Sequence, residues 1–168
     1  MSSGHRVLVV GAGGLGSPVL RLLAQSAVEH VTLVDDDVVE ESNLHRQTLF
    51  TEKDLGRPKT ECAMERLLEA SPKLSVSVVD GRFVPSTAMK LLAGHTLVVE
   101  GADNLATKFL VADAAHLAEI PAVQAGAVPG MGGPGAPSPT PPAFGVSSRT
   151  SRGIGSRRAP RRASSARW

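Results

Sequence analysis

The chain of 168 residues contains 18 Lys and Arg, 16 Asp and Glu and one cysteine, and its formal net charge is +2. One cysteine excludes a disulfide framework and four-cysteine zinc ligation within a subunit, so we predict no zinc site. No stretch is long and apolar enough to span a membrane, and the glycines of 11–16 interrupt any signal-peptide core. We therefore expect a cytoplasmic protein without membrane association.

The basic charge lies at one end of the chain. Residues 129–168 hold seven Arg, seven Pro and seven Gly without any Asp or Glu, which leaves 11 basic and 16 acidic residues, a net charge of −5, in 1–128. Because the segment has few large apolar side chains and many breakers, we predict a folded domain over 1–128 and a disordered tail over 129–168. Its arginines lack interleaved aromatic residues, so nucleic-acid binding is not expected. The abrupt change prompts the hypothesis that the reading frame is truncated or frameshifted after about residue 128.

The first predicted element is a buried strand that runs into a glycine-rich turn. The apolar run Val7–Val10 leads directly into Gly-Ala-Gly-Gly-Leu-Gly at 11–16, and a helix is predicted over about Leu15–Ala27. This order is typical of a Rossmann-type unit, in which the helix N-terminus points at phosphate groups. Four glycines are expected to provide the tight turn, the close approach to phosphate and the helix packing: Gly11, Gly13, Gly14 and Gly16.

The second predicted strand ends in acidic residues. The run His30–Val34 is followed by Asp35, and an acid at this position usually binds ribose hydroxyls. Asp36 and Asp37 complete an acidic cluster beside the predicted phosphate loop. Because carboxylates repel phosphates unless a cation intervenes, the cluster implies Mg²⁺.

Two basic residues and a further acidic residue indicate what kind of reaction the nucleotide takes part in. Arg46 offers a bidentate fork for phosphate, and Lys59 offers a compact charge at a helix start. Asp103 and Asn104 follow an apolar strand at Thr96–Val99, so they are expected at the same sheet edge as the glycine loop. An ATP-using transferase needs phosphate-binding cations and a Mg²⁺ ligand, and an NAD-dependent dehydrogenase does not. Either cation taken alone is also compatible with a solvated charged loop.

The remaining pattern alternates helices and strands. Helices are predicted over about 59–70, 86–92 and 104–117, and strands over 74–79, 96–99 and 121–127. The fold class is therefore α/β, a Rossmann-like, mostly parallel sheet with helices on both faces. Apolar residues of the last helix, including Leu105 and Phe109, recur on one face. Cys62 is interpreted as a small buried residue rather than a nucleophile.

The motifs, taken in order, resemble those of the E1-like activating enzymes, the ThiF/MoeB/HesA family that includes the ubiquitin-activating enzymes. They occupy residues 11–17, 34–37, 42–47, 56–59 and 102–104, and the resemblance covers about residues 5–128. It implies ATP- and Mg²⁺-dependent adenylation of the C-terminal carboxylate of a small ubiquitin-like or sulfur-carrier protein that ends in Gly-Gly. It also implies a homodimer, which an exposed sheet edge would favour.

The resemblance assigns roles by motif position. Gly14 lies against the phosphates, Asp35 takes the ribose and Asp103 holds Mg²⁺, while Arg46, Lys59 and Asp103 carry catalysis. The implied nucleotide-binding residues are Gly11, Gly13, Gly14, Gly16, Asp35, Asp37, Ser42, Asn43, Leu44, His45, Arg46, Lys59, Asp103 and Asn104. Ala102 stands where the family usually has Thr.

Three alternatives stay open at this point. Family members usually carry an amino-terminal arm and a second half, and neither is expected in this sequence, so an inactive nucleotide-binding fragment is one reading. An NAD(P)-dependent oxidoreductase shares the glycine loop, although Arg46, Lys59 and Asp103 argue against it. An E1-like tRNA-modifying dehydratase shares the same motifs.

Overall fold

The structure, a computed structural model, describes residues 4–127 and 144–149. The strands are β1 (His5–Val10), β2 (Val28–Asp35), β3 (Ser75–Asp80), β4 (Leu97–Glu100), β5 (Ala122–Ala127) and β6 (Phe144–Arg149). The α-helices are α1 (Gly16–Ala24), α2 (Lys59–Ala70), α3 (Pro85–Leu92) and α4 (Leu105–Leu117), and short 3-10 turns occupy Glu41–Asn43 and Glu52–Asp54. No helix among the described residues combines the length and apolar character that crossing a membrane requires.

The described strands form one sheet in the order β3-β2-β1-β4-β5-β6. The first five are mutually parallel, and helices connect them, which confirms the predicted Rossmann-like α/β fold. The strand order reverses direction between β1 and β4. Because parallel strands end at the same edge, the loops after β1, β2, β3 and β4 meet there, and ligands of open α/β sheets bind at such a crossover.

Strand β6 differs from the sequence expectation. Residues 144–149 fall within the tail predicted to be disordered, yet they pair antiparallel with β5 from Ala122↔Arg149 to Ala127↔Phe144. Backbone pairing on an existing edge strand does not require the apolar composition of a core strand, so composition alone missed it. This pairing also covers the β5 edge that was expected to be exposed. The remaining tail residues lie outside the described part of the chain.

The core consists of two apolar layers, one on each face of the sheet. Alternate residues of β1 point to opposite layers, with Val7 and Val9 on one side and Leu8 and Val10 on the other. Helices α1 and α2 cover the first layer, which contains Cys62, and α3 and α4 cover the second. A strand buried on both faces explains why its sequence is continuously apolar.

Helix α4 presents a different face to the core than its apolar spacing indicates. Leu105 and Phe109 are 69% and 67% exposed, whereas Val111 and Ala114 are buried. The helix begins at the cap of Asn104, whose Oδ1 accepts a 2.8 Å hydrogen bond from the Thr107 amide. The face of α4 that packs on the sheet is therefore the one that carries Val111 and Ala114.

Candidate nucleotide-binding site

A cavity of about 1240 Å³ opens at the carboxyl edge of the parallel strands. Its walls come from the loops after β1, β2, β3 and β4 and from the segment that leads into α2. Residues far apart in sequence therefore meet at one place, as the motif order predicted. Ten of the predicted site residues line it: Gly11, Gly13, Gly14, Asp35, Asp37, Asn43, Arg46, Lys59, Asp103 and Asn104.

The glycine loop is fixed by close backbone contacts. Gly11 adopts a φ of +94°, which L side chains rarely adopt, and its amide donates to the Val34 carbonyl at 2.8 Å. A Cβ at Gly11 would lie 3.0 Å from the Ala102 amide nitrogen, so the loop abuts the loop after β4. A Cβ at Gly16 would overlap the Gly11 carbonyl. Gly16 therefore packs against the Gly11 carbonyl and does not line the cavity.

The Asp35 carboxylate is tied to the glycine loop. Its Oδ2 accepts a 2.6 Å hydrogen bond from the Ala12 amide, and its Oδ1 accepts a 2.9 Å bond from the Asp37 amide. Burial raises the pKa of Asp35, and the two amides and the charge of Lys59 oppose that rise. Each oxygen retains a further lone pair, so the group can still accept hydrogen bonds from a vicinal diol.

Lys59 lies at the base of the cavity, where α2 begins. Its Nζ forms a 2.7 Å ion pair with Asp37 Oδ2, and its amide donates to the Asp37 carbonyl at 2.9 Å. An isolated bridge between Val38 and Pro58 holds the two segments together. The ammonium group is therefore buried beside the Asp37 carboxylate, and both residues line the cavity.

Arg46 is an exposed cation of the cavity wall. Its Cγ and Cδ lie 3.5 Å from the position that a Cβ at Gly14 would take, so its stem crosses the glycine loop. A side chain at Gly14 would fill this space. The arrangement places a guanidinium stem over the amide groups that the glycines leave accessible, which suits a phosphate bound between them.

Three residues of the 42–47 motif do not line the cavity. Ser42 and His45 are exposed, and Leu44 packs against the core. Ser42 Oγ instead lies 3.4 Å from Glu40 Oε2, to which it donates. The 3-10 turn at Glu41–Asn43 repeats about every three residues, so Asn43 and Arg46 reach the cavity while Ser42, Leu44 and His45 do not.

Gln47 is a site residue that the sequence analysis did not single out. It lines the cavity with 3% of its surface exposed, and its buried Oε1 has no hydrogen-bond partner. Its Nε2 lies 3.8 Å from the position of a Cβ at Gly13. A buried amide atom left unsatisfied beside the glycine loop is the kind of group that a bound ligand or water satisfies. Its position directly after Arg46 was the available indication.

Arg82 is the second residue that was missed. It follows β3 and Gly81, lines the cavity, and donates from Nε to Asp36 Oδ2 at 2.6 Å. The contact is between residues 46 positions apart, which no local pattern reveals. The position of Arg82 after the third strand of a parallel sheet was the available indication, because such positions reach the same edge.

A buried ion pair joins the last residue of β4 to α4. Glu100 has none of its surface exposed, its Oε1 accepts from the Ala102 amide at 2.7 Å, and its Oε2 accepts from Lys108 Nζ at 2.8 Å. Burial raises the pKa of Glu100, and Lys108 opposes the rise. Gln124 of β5 donates to the Lys108 carbonyl at 2.7 Å. Asp103 comes directly after Ala102 in the chain, is exposed and lines the cavity.

Two of the clustered carboxylates are already paired with cations of the chain. Asp35, Asp36 and Asp37 bring oxygens within 4.8 Å of one another, but Asp36 pairs with Arg82 and Asp37 with Lys59. Asp103 is exposed and shares the cavity wall with the glycine loop. Carboxylate oxygens beside a phosphate loop suit Mg²⁺, which keeps several waters and binds through one or two carboxylates. The single carboxylate of Asp103 is therefore the group that fits the predicted Mg²⁺.

The fold and the cavity define a Rossmann-like α/β protein with a glycine-rich loop and converging cations at its ligand edge. The profile of the ThiF family matches residues 2–148. The chain belongs to the ThiF family, which confirms the resemblance seen in its motifs.

Similar proteins carry adenylyltransferase names. The adenylyltransferase and sulfurtransferase UBA4 of Yarrowia lipolytica is 45% identical over 123 residues, which cover 73% of this chain and 31% of that protein. The sulfur carrier protein adenylyltransferase of Thermus thermophilus is 45% identical over 117 residues, covering 70% and 43%. The chain thus spans less than half the length of both relatives.

Solved structures agree on the fold. The E. coli tRNA N6-threonylcarbamoyladenosine dehydratase TcdA in complex with ATP superposes with a TM-score of 0.70 at 30% identity, covering 73% of this chain and 51% of that one. E. coli MccB with ATP superposes with a TM-score of 0.68 at 32% identity, covering 74% and 38%.

Proposed function

We propose that the chain carries the adenylation site of an enzyme that activates the C-terminal carboxylate of a ubiquitin-like or sulfur-carrier protein ending in Gly-Gly. The observation that carries the proposal is the convergence of Arg46, Lys59 and Asp103 on the cavity of the glycine loop. A nicotinamide cofactor has no use for this combination. The names of the relatives and the ATP complexes of the structural neighbours support ATP as the nucleotide.

The residues have distinct tasks in this reaction. The glycine loop holds the phosphates through its amides, and Asp35 binds the ribose hydroxyls. A carboxylate oxygen of the carrier attacks the α-phosphorus, the bond to the bridging oxygen breaks, and pyrophosphate leaves as the acyl adenylate forms. Arg46 and Lys59 stabilise the negative charge that develops on the phosphate oxygens. Mg²⁺ held at Asp103 would neutralise phosphate charge when bound.

The direct test is ATP–pyrophosphate exchange with a panel of carrier proteins that end in Gly-Gly. Exchange that depends on one carrier and on its terminal glycines would support the proposal. Calorimetry with Mg²⁺ provides a second measurement, in which ATP should bind more tightly than NAD. Equal or tighter binding of NAD would contradict the proposal and favour an oxidoreductase.

A tRNA-modifying dehydratase is the second candidate, and the superposition on TcdA favours it. In that case the activated group belongs to an RNA nucleoside instead of a protein carboxylate. The two candidates share the nucleotide chemistry, so the second substrate must decide. Nucleotide cleavage stimulated by tRNA and unaffected by any carrier protein would select the dehydratase. Binding of ATP without any turnover would instead select an inactive fragment.

Self-association is a further part of the proposal. Leu105, Phe109 and Leu117 leave large apolar surfaces exposed on α4, and such surfaces favour contact with another protein. An exposed sheet edge was expected to favour the dimer, but β6 pairs with the edge of β5, so this edge is not an argument for dimerisation. Light scattering over a range of concentrations tests the prediction, and a monomer at high concentration would contradict it.

A further inference from the structure

Glu100 is a fully buried carboxylate that the proposed chemistry does not use. It is the last residue of β4, and its two oxygens have separate partners, the Ala102 amide at 2.7 Å and Lys108 Nζ at 2.8 Å. Such a pair is costly to bury and often contributes little to stability compared with apolar residues. Its position directly before the loop of Asp103 therefore calls for a role in the site.

The loop between β4 and α4 is anchored at both sides of Asp103. On one side the Ala102 amide is bound to the Glu100 carboxylate, and on the other Asn104 caps α4 through the Thr107 amide at 2.8 Å. The Gly101 amide also donates to the Val10 carbonyl at 2.9 Å. The backbone of Asp103 is therefore held between two fixed neighbours, while its side chain remains exposed at the cavity.

Lys108 connects this anchor to the rest of the fold. Its ammonium group binds Glu100 Oε2, and its carbonyl accepts a 2.7 Å hydrogen bond from Gln124 on β5. The pair thereby links β4, α4 and β5 beneath the loop. An ionised carboxylate also accepts a stronger hydrogen bond from an amide than a neutral group does, so the charge of Lys108 strengthens the anchor at Ala102.

We propose that Glu100, packed against Lys108, is a positioning residue whose acceptor oxygen binds the Ala102 amide and so holds Asp103 where it meets the cation of a bound Mg²⁺–nucleoside triphosphate. The inference rests on the proposed function, because it takes Asp103 as the cation ligand. Glu100 acts through the Ala102 amide and touches neither nucleotide nor cation. Its removal should therefore weaken the Mg²⁺-dependent part of nucleotide binding and leave the Mg²⁺-independent part intact.

Two double variants isolate the anchor without leaving a buried charge unpaired. Glu100→Gln/Lys108→Met keeps an acceptor oxygen for the Ala102 amide, and Glu100→Ala/Lys108→Met removes it. Both variants carry the same charge. Glu69→Gln, which removes a carboxylate from the exposed surface of α2, is the control. Calorimetry measures ATP binding in Mg²⁺ and AMP binding in EDTA, and thermal unfolding reports the stability of each variant.

We expect the Gln/Met variant to bind Mg²⁺–ATP within about threefold of the parent. The Ala/Met variant should bind it roughly tenfold more weakly, which is the scale of one typical hydrogen bond. AMP in EDTA should bind all variants alike. Equal affinities of the two double variants for Mg²⁺–ATP would overturn the inference, as would a matching loss of AMP binding. If the unmodified protein bound no ATP in the presence of Mg²⁺, both the proposed function and this inference would be contradicted.

Discussion

Lys59 Nζ and Asp37 Oδ2 lie 2.7 Å apart, yet 3% of the lysine side chain is exposed against 64% of the aspartate side chain. The pair thus joins a buried cation to an acid at the cavity mouth. Desolvated charges act more strongly on a ligand than solvated ones, so the ammonium group is the stronger partner for a phosphate. Asp37 orients the lysine while the cavity is free of nucleotide.

Lys59→Met should lower the rate of ATP–pyrophosphate exchange by roughly 10²-fold, as expected for loss of one preorganised group that faces developing charge. Asp37→Asn should cost clearly less, because Lys59 keeps its charge and its backbone anchor to the Asp37 carbonyl. Lys53→Met, an exposed lysine of the preceding 3-10 turn, is the control. A larger loss in Asp37→Asn than in Lys59→Met would show that the aspartate, and not the lysine, meets the nucleotide.

Arg46→Ala and Asp103→Ala should each lower exchange by roughly 10²-fold, but for different reasons. A Mg²⁺ titration distinguishes them. Loss of Asp103 should raise the Mg²⁺ concentration needed for half-maximal exchange, whereas loss of Arg46 should leave it unchanged. Arg46→Lys should recover only part of the activity, because an ammonium group lacks the bidentate fork. The assignment of Mg²⁺ to Asp103 would be contradicted by identical titration midpoints in all variants.

Cys62→Ala should leave exchange nearly unchanged. The thiol is fully buried in the layer covered by α1 and α2, and burial raises its pKa, so it stays protonated near neutral pH. The expected cost in the free energy of unfolding is about 1 kcal/mol, from the loss of one small buried group. A thiol reagent should label the folded protein slowly. Abolished exchange in this variant would identify a thiol enzyme on the same scaffold.

The free energy of unfolding should fall as the pH drops through the range below about 6.5, the ordinary pKa of histidine. At the opposite end of the sheet from the cavity, Nε2 atoms of His30 and His95 contact Thr32 Oγ1 at 3.0 and 2.8 Å. Burial, with Arg6 as a further cause, lowers the pKa of both imidazoles. The unfolded chain therefore binds protons that the folded chain excludes, and stability present at higher pH is lost on acidification.

Chemical denaturation at several pH values checks this dependence. His95→Gln should flatten the curve between about pH 6.5 and 5. A curve of unchanged steepness in His95→Gln would contradict the assignment of the effect to this pair.

Local patterns predicted most of the fold. Helix α2 matches its predicted bounds of 59–70, because Pro58 and Pro72 flank a regular helical repeat. The first helix was predicted over about 15–27 and ends at Ala24, because β2 starts at Val28 and needs a short connection. Apolar spacing did not indicate the rotation of α4, because large apolar side chains such as Leu105 and Phe109 lie on its exposed face.

Site residues could be predicted from the sequence where a motif fixes their position at the end of a strand or the start of a helix. The glycine loop, Asp35, Lys59 and Asp103 all lie at the cavity, because each stands at the end of a strand or the start of a helix. Arg82 was not predicted, since its contact with Asp36 depends on the neighbouring positions of β2 and β3 in the sheet. The roles of Ser42 and His45 remain predictions without support from the cavity lining.

The contact between Gly11 and the Ala102 amide is a junction made of backbone alone. Its spacing is set by peptide geometry and by the register of β1 against β4, so exchanging core side chains elsewhere alters it little. Any β-carbon at residue 11 would push the two loops apart. In a homologue or a designed variant, side chains elsewhere in the cavity can therefore change and alter the preferred nucleotide or partner. The distance between the phosphate loop and the loop of Asp103 should stay the same.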